Sequence, residues 1–177
     1  FNGKKVELVI ADNKSEAAES ASAMQKLVQD KVVAVIAPIA SSSVIAGAQI
    51  NQDSKVLAIS PTASNPKVTV DEKGKVRPYL FRASFIDPFQ GSVMAAFATK
   101  SLKAKTAAIY IDNSSDYAKG LAKYFEEEFV KAGGQIVIKE AYLQKDTDFK
   151  ATLTKIKATN PEVIFVPGYY QEVGLII

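Results

Sequence analysis

Two apolar runs each end in a cluster of small hydroxyl residues, and that pairing restricts the fold more than any other feature of the chain: Val35-Ile36-Ala37-Pro38-Ile39-Ala40-Ser41-Ser42-Ser43 and Val56-Leu57-Ala58-Ile59-Ser60-Pro61-Thr62-Ala63-Ser64-Asn65-Pro66. Short apolar runs bounded by Pro and Ser read as buried strands that open into loops at their C-terminal ends. In an open α/β sheet that edge is where ligands sit, because the next helix presents unbonded backbone N–H groups to an anion. Small hydroxyls beside free amides suit a zwitterion better than they suit bond-breaking chemistry. The expectation is a binding protein.

Composition narrows the chemistry further. The 177 residues contain no His and no Cys, which removes every Ser-His-Asp, Cys-His, zinc-finger and haem arrangement built on those side chains. Zero cysteine leaves the redox compartment open, since a chain of this size buries enough surface to do without disulfides. Lys and Arg number 22 against 19 acidic residues, a balance of +3, and the lysines are scattered, so no nucleic-acid footprint is expected. The longest uncharged stretch, Val32 to Gln52, is broken by Pro38 and the serines, and no segment reaches the roughly 18 to 20 apolar residues of a spanning helix. The chain opens at Phe1 and closes on the apolar Val173-Gly174-Leu175-Ile176-Ile177, so a fragment of a longer protein is expected.

Periodicity then sets the element order. Lys4 to Ala11 reads as a buried strand of a doubly covered parallel sheet, followed by a helix opened by an Asn13/Glu16 capping box and carrying Ala17, Ala21, Met24 and Val28 on one face. Val32 to Ile39 is the next strand, Ser43 to Gln52 a helix, Val56 to Ser60 a strand, Asp71 to Lys75 a loop or hairpin turn, and Tyr79 to Ala83 a strand. Asp87-Pro88, an N-cap and first-turn proline, opens a helix through Phe89, Val93, Phe97 and Lys100. The rhythm restarts with a strand from Thr106 to Asp112, a helix from Tyr117 to Ala132 stopped by Gly133-Gly134, and a strand from Gln135 to Ala141. A helix from Phe149 to Thr159 and a strand from Val163 to Val166 complete it. Alternation of this kind predicts an α/β fold with right-handed crossovers and parallel sheets. Two series are present, with the boundary near Ala83 to Asp87; residues 1–85 are assigned to a partial N-terminal lobe and residues 86–177 to a partial C-terminal lobe.

In the order and spacing of several segments the chain resembles the type I periplasmic binding proteins, and among them the branched-chain amino-acid-binding proteins of ATP-driven (ABC) importers. The segments are Asn2-Gly3-Lys4-Lys5-Val6-Glu7-Leu8 leading to Asp12, the Ser41-Ser42-Ser43 turn, Ile59-Ser60-Pro61-Thr62-Ala63-Ser64-Asn65-Pro66, Phe81-Arg82, Asp112-Asn113-Ser114-Ser115-Asp116-Tyr117-Ala118-Lys119-Gly120-Leu121 and Gly168-Tyr169-Tyr170. The resemblance implies two Rossmann-like lobes joined by a three-crossing hinge, closing on an amino acid. It implies that this chain lacks the family's first strand and helix and the remainder of its second lobe. A lobe without that central strand would leave a gap flanked by unpaired edges.

By the same resemblance Ser41 would bond the ligand α-carboxylate, with backbone N–H groups of Ser41 to Ser43 beside it. Thr62 would offer its carbonyl and Ser64 its hydroxyl to the ammonium. Tyr117 and Tyr169 would come from the second lobe, and the acidic partner of the ammonium would lie beyond Ile177. Relatives carry Thr at the Ser64 position and, in some cases, Cys where Ala40 stands. The implied function is a non-enzymatic, extracytoplasmic solute receptor, periplasmic or a cell-surface lipoprotein, that hands an aliphatic amino acid to a membrane permease and needs no cofactor or metal.

Simpler roles stand beside these. Ser41 to Ser43 also suit a helix cap, and the Ser60-Pro61 and Asn65-Pro66 pairs suit turn chemistry. Tyr169 and Tyr170 alternate faces, and Tyr169 is the one favoured for the ligand. Glu126-Glu127-Glu128 reads as a solvated helix face, and Asp112 and Asp116 as loop caps rather than metal ligands. A receptor or sensor domain for an amide, urea or aromatic acid is the alternative on the same scaffold. A nucleotide-dependent α/β enzyme is the alternative of another class, but neither G-x-G-x-x-G after a strand nor G-x-x-x-x-G-K-[ST] is present.

Overall fold

The computed structural model describes residues 2–177, and Phe1 lies outside them. Residues up to Ser84 form one compact unit and Phe85–Ile177 a second. Each contains a three-stranded parallel sheet.

The first unit runs α1 (Ala17–Gln29), β1 (Ala34–Ile36), α2 (Ser41–Ser54), β2 (Leu57–Ser60), a single 3-10 turn (Pro66–Val68) and β3 (Leu80–Arg82), with sheet order β1-β2-β3. Met24 of α1, Val44 and Ala48 of α2, Val35, Ala58 and Leu80 of the strands, and Ala63 and Val68 of the loop make its core. The second unit runs α3 (Asp87–Ala96), a π turn (Phe97–Ser101), β4 (Thr106–Asp112), α4 (Asp116–Lys131), β5 (Gln135–Tyr142), α5 (Lys150–Ala158), β6 (Val163–Phe165) and α6 (Tyr170–Ile176), with order β5-β4-β6. Here β4 is buried on both faces. Ala107 and Ile109 pack with Phe125 and Phe129 of α4, while Ala108 and Tyr110 pack with Phe149 and Ile156. Full burial of each such Phe or Ile is worth about 1.5 to 3 kcal/mol.

Several local expectations are corrected. Residues 4–11 form no strand, and Val6, Leu8 and Ile10 lie exposed. An apolar pattern signals a strand's capacity for burial, but a strand exists only with a hydrogen-bonded neighbour, and this segment has no ladder. The first sheet is also covered on one face only. Ile36, Ile59 and Phe81, aligned in one row across the register, are 83%, 44% and 50% exposed. The Asn13/Glu16 capping box does not form: Glu16 occupies the N-cap but makes no side-chain capping bond, and Asn13 accepts from the Ser15 N–H and donates to Ser20. Asp87 is the first helical residue behind an Ile86 N-cap, and α2 begins at Ser41 rather than Ser43.

Gly91 sets the spacing of α3 on α4. A Cβ there would stand 2.6 Å from Tyr124 Cβ and 2.9 Å from the Phe125 backbone nitrogen, so the helix backbones meet at this point. The acidic run of α4 stays at the surface, where Lys139 Nζ lies 3.0 Å from Glu126.

Candidate functional site

The hydroxyl cluster of the first unit sits at the C-terminal ends of β1 and β2. Ser41 is the first residue of α2, behind the Ala40 N-cap, and Val44 N–H makes the first intrahelical bond, to Ala40 O at 3.1 Å. The N–H groups of Ser41, Ser42 and Ser43 therefore precede the helical ladder, at the positive end of the helix dipole. Ser41 is 1% exposed, and its Oγ accepts the backbone N–H of Asn65 at 3.2 Å. A hydroxyl has one proton and two lone pairs, so this accepted bond fixes the oxygen and leaves its O–H to donate.

The loop after β2 is tied down at several points. Ser60 Oγ accepts the Ala63 N–H at 3.1 Å, and Thr62 Oγ1 donates to Ile39 O at 2.9 Å, joining the loop to the segment between β1 and α2. Asn65 accepts the Lys67 N–H and opens the 3-10 turn. From the end of β3, Arg82 donates to Asn65 O at 2.8 Å, Ala63 O at 3.5 Å and Thr69 Oγ1 at 3.2 Å. Ser41, Thr62 and Ser64 are thus brought together. Ser64 is buried, and Thr62 keeps an exposed position with its hydroxyl turned to Ile39.

In the second unit, Tyr117 on the first turn of α4 and Tyr169 just before α6 lie with ring centroids 5.7 Å apart and planes tilted by 32°. Gln90 of α3 donates to the Tyr117 hydroxyl at 3.2 Å. Tyr169 shares a hydrogen bond with the side chain of Ser115, the N-cap of α4, which also accepts the Ala118 N–H at 3.2 Å. Burial raises the pKa of both phenols, and the nearby Asp87 carboxylate adds to the effect. Tyr170 is 90% exposed, so Tyr169 alone of the pair faces Tyr117. Asp112, at the end of β4, caps the loop by accepting the Ser114 N–H and hydroxyl. Among the described residues no group of three or more acidic side chains is arranged to hold a metal ion.

Three contributors, Arg82, Gln90 and Ser115, carried no assigned role in the sequence. Arg82 follows Phe81 at the end of β3, and only the fold brings its guanidinium under the carbonyls of Ala63 and Asn65. Gln90 lies in a helix that also carries Asp87 and Ser92, where one more polar residue signals nothing by itself.

A parallel α/β architecture with hydroxyl-rich loops at strand ends now has a family to belong to, because the family profile described as "Periplasmic binding protein" matches residues 1–175. The chain belongs to the periplasmic binding protein family. Among the relatives of this binding-protein chain is an "Amino acid binding protein" of Pseudomonas aeruginosa, 34% identical over 100% of this chain and 46% of its own length. The leucine binding protein LivK of Thermotoga maritima superposes with a TM-score of 0.93 at 39% identity, covering 98% of this chain and 48% of LivK. LivJ of Streptococcus pneumoniae, a branched-chain amino acid transporter substrate binding protein solved with isoleucine, superposes with a TM-score of 0.87 at 44% identity, over 99% of this chain and 48% of LivJ. The chain spans about half the length of the relatives it matches. Among the described residues no helix is long and apolar enough to cross a membrane.

Proposed function

We propose that the full-length protein is an extracytoplasmic receptor that binds an aliphatic, branched-chain α-amino acid without transforming it and passes it to the membrane permease of an ABC importer. Residues 1–85 and 86–177 are its contributions to two lobes. The observation that carries the proposal is the Ser41 hydroxyl, buried at the first turn of α2 with its oxygen fixed by the Asn65 N–H. That oxygen retains a proton to donate, and the first-turn N–H groups stand beside it, which is the donor set a carboxylate requires. Thr62 contributes its backbone carbonyl and Ser64 its hydroxyl to the ammonium, a cation that takes acceptors. Tyr117 and Tyr169 contribute aromatic surface to the ligand, held by Gln90 and Ser115. The isoleucine held by LivJ, 44% identical to this chain, supports a branched aliphatic side chain.

A thermal-shift panel on the full-length protein tests the proposal, because a ligand that binds only the folded state raises its melting temperature by mass action. Leucine, isoleucine and valine are expected to raise it, with urea, short amides and benzoate leaving it unchanged. A shift for an amide or for benzoate, with silence from the amino acids, overturns it.

A further inference from the structure

Tyr142 is the last residue of β5 and is 4% exposed. Its ring is clamped edge-on by Tyr110, with centroids 5.1 Å apart at 73°, and by Phe149, at 5.5 Å and 84°. The register pairs it with Asp112, and Asn113 N–H donates to its carbonyl at 2.9 Å. Its hydroxyl end meets Gly168. A Cβ built at Gly168 would overlap the Tyr142 oxygen, with Val173 Cγ2 3.1 Å away on another side. Gly168 immediately precedes Tyr169.

The sheet order β5-β4-β6 gives this contact its meaning. Strand β4 lies between the strand of Tyr142 and the strand that leads to Gly168, so the segment leaving β6 turns back over the end of β4 to touch the phenol. A ring packed against two aromatic neighbours yields less readily than a chain segment in a bend, so any added bulk displaces residues 166–169. Burial, together with the Asp112 and Glu172 carboxylates, holds the Tyr142 phenol in its neutral form.

We propose that Tyr142 is a positioning residue for Tyr169: its hydroxyl occupies the space beside Gly168 and sets the path along which the chain leaving β6 presents Tyr169 to Tyr117. Its consequence for affinity rests on Tyr169 being a ligand contact, as proposed above; its consequence for the Tyr169 ring does not.

The test uses the full-length protein with 13C-labelled tyrosine rings, the Tyr169 signal being identified by its loss in Tyr169→Phe. Gly168→Ala should move the Tyr169 and Tyr117 ring signals and weaken leucine binding by about tenfold, the scale of loss expected from a misplaced contact. Tyr142→Phe/Gly168→Ala removes the oxygen that the new methyl meets, and should return the ring signals and bring affinity within about threefold of wild type, as coupled neighbours do in a double-mutant cycle. In a Tyr169→Ala background Gly168→Ala should change affinity less than about twofold, because its route to the ligand is gone. Should Gly168→Ala not fold, the near-isosteric Tyr142→Phe decides alone, with a shifted or broadened Tyr169 signal expected. A Tyr169 signal unmoved by either single substitution, or displaced equally in the double variant, overturns the proposal. Wild-type protein that binds no amino acid would refute the proposed function, while the ring signals would still decide the role of Tyr142.

Discussion

Asn65 donates its backbone N–H to the buried Ser41 Oγ at 3.2 Å, so the oxygen proposed to hold a ligand also anchors the loop beside it. Ser41→Ala leaves that N–H buried without its acceptor. An orphaned buried donor costs about 1 to 3 kcal/mol, and the urea unfolding free energy of the variant is expected to fall by that amount before any ligand is added. Unchanged stability would show that the bond contributes nothing to the loop.

Arg82 holds the same loop from the opposite side. Its hydrogen bonds to Asn65 O, Ala63 O and Thr69 Oγ1 come from one planar fork, which a lysine ammonium does not reproduce. Arg82→Ala is expected to lower stability by about 2 kcal/mol, within the range for hydrogen bonds to a charged group, and Arg82→Lys to recover only part of it in urea unfolding. Full recovery with lysine would mean that charge alone matters at this position.

The contact of α3 with α4 at Gly91 predicts a cost for the smallest side chain. Gly91→Ala drives a methyl onto Tyr124 Cβ and the Phe125 backbone, and moving backbone apart is the expensive form of overpacking. A loss of about 1 to 3 kcal/mol is expected by denaturant unfolding. A gain, as helix propensity alone would give, would contradict the close approach.

Alkaline pH should weaken the fold. Burial raises the phenols of Tyr110, Tyr117, Tyr142 and Tyr169 above their ordinary value. A raised folded-state pKa means that the folded chain keeps protons that the unfolded chain releases, so the stabilisation is complete below the unfolded value of about 10 and is lost as pH rises from there through the folded values. Urea midpoints should fall between about pH 10 and about pH 12, and more gently in Tyr142→Phe. A midpoint that stays level over that interval, or an unchanged slope in the variant, would contradict the assignment.

The second unit was the more legible in the sequence because it carries its own pairing and cover. Strand β4 was expected at its observed bounds, and α4 and β5 within one residue, since a buried central strand shows as a continuous apolar run and Gly133-Gly134 ends the helix. Lys4 to Ala11 shows the limit of periodicity: the same apolar density forms no ladder, because pairing depends on a neighbour that the pattern does not contain. At the site, Ser41, Thr62 and Ser64 were visible as hydroxyls after apolar runs, and Tyr117 and Tyr169 came from resemblance. The tethers Arg82, Gln90 and Ser115, and the phenol of Tyr142 against Gly168, act between residues at least 13 apart in sequence or through shape, and no local spacing encodes them.

Isothermal titration of the full-length protein with leucine and with 3-methylbutylamine, which is leucine without its carboxylate, separates recognition of the carboxylate at Ser41 from recognition of the rest of the ligand. Wild-type protein is expected to bind leucine one-to-one and the amine about a hundredfold more weakly or worse, with Ser41→Ala reducing that preference by about tenfold or more, since a hydrogen bond to a charged group contributes about 1.5 to 3 kcal/mol and the first-turn N–H groups remain. Equal binding of leucine and the amine, or a carboxylate preference untouched by Ser41→Ala, would contradict the role proposed for Ser41.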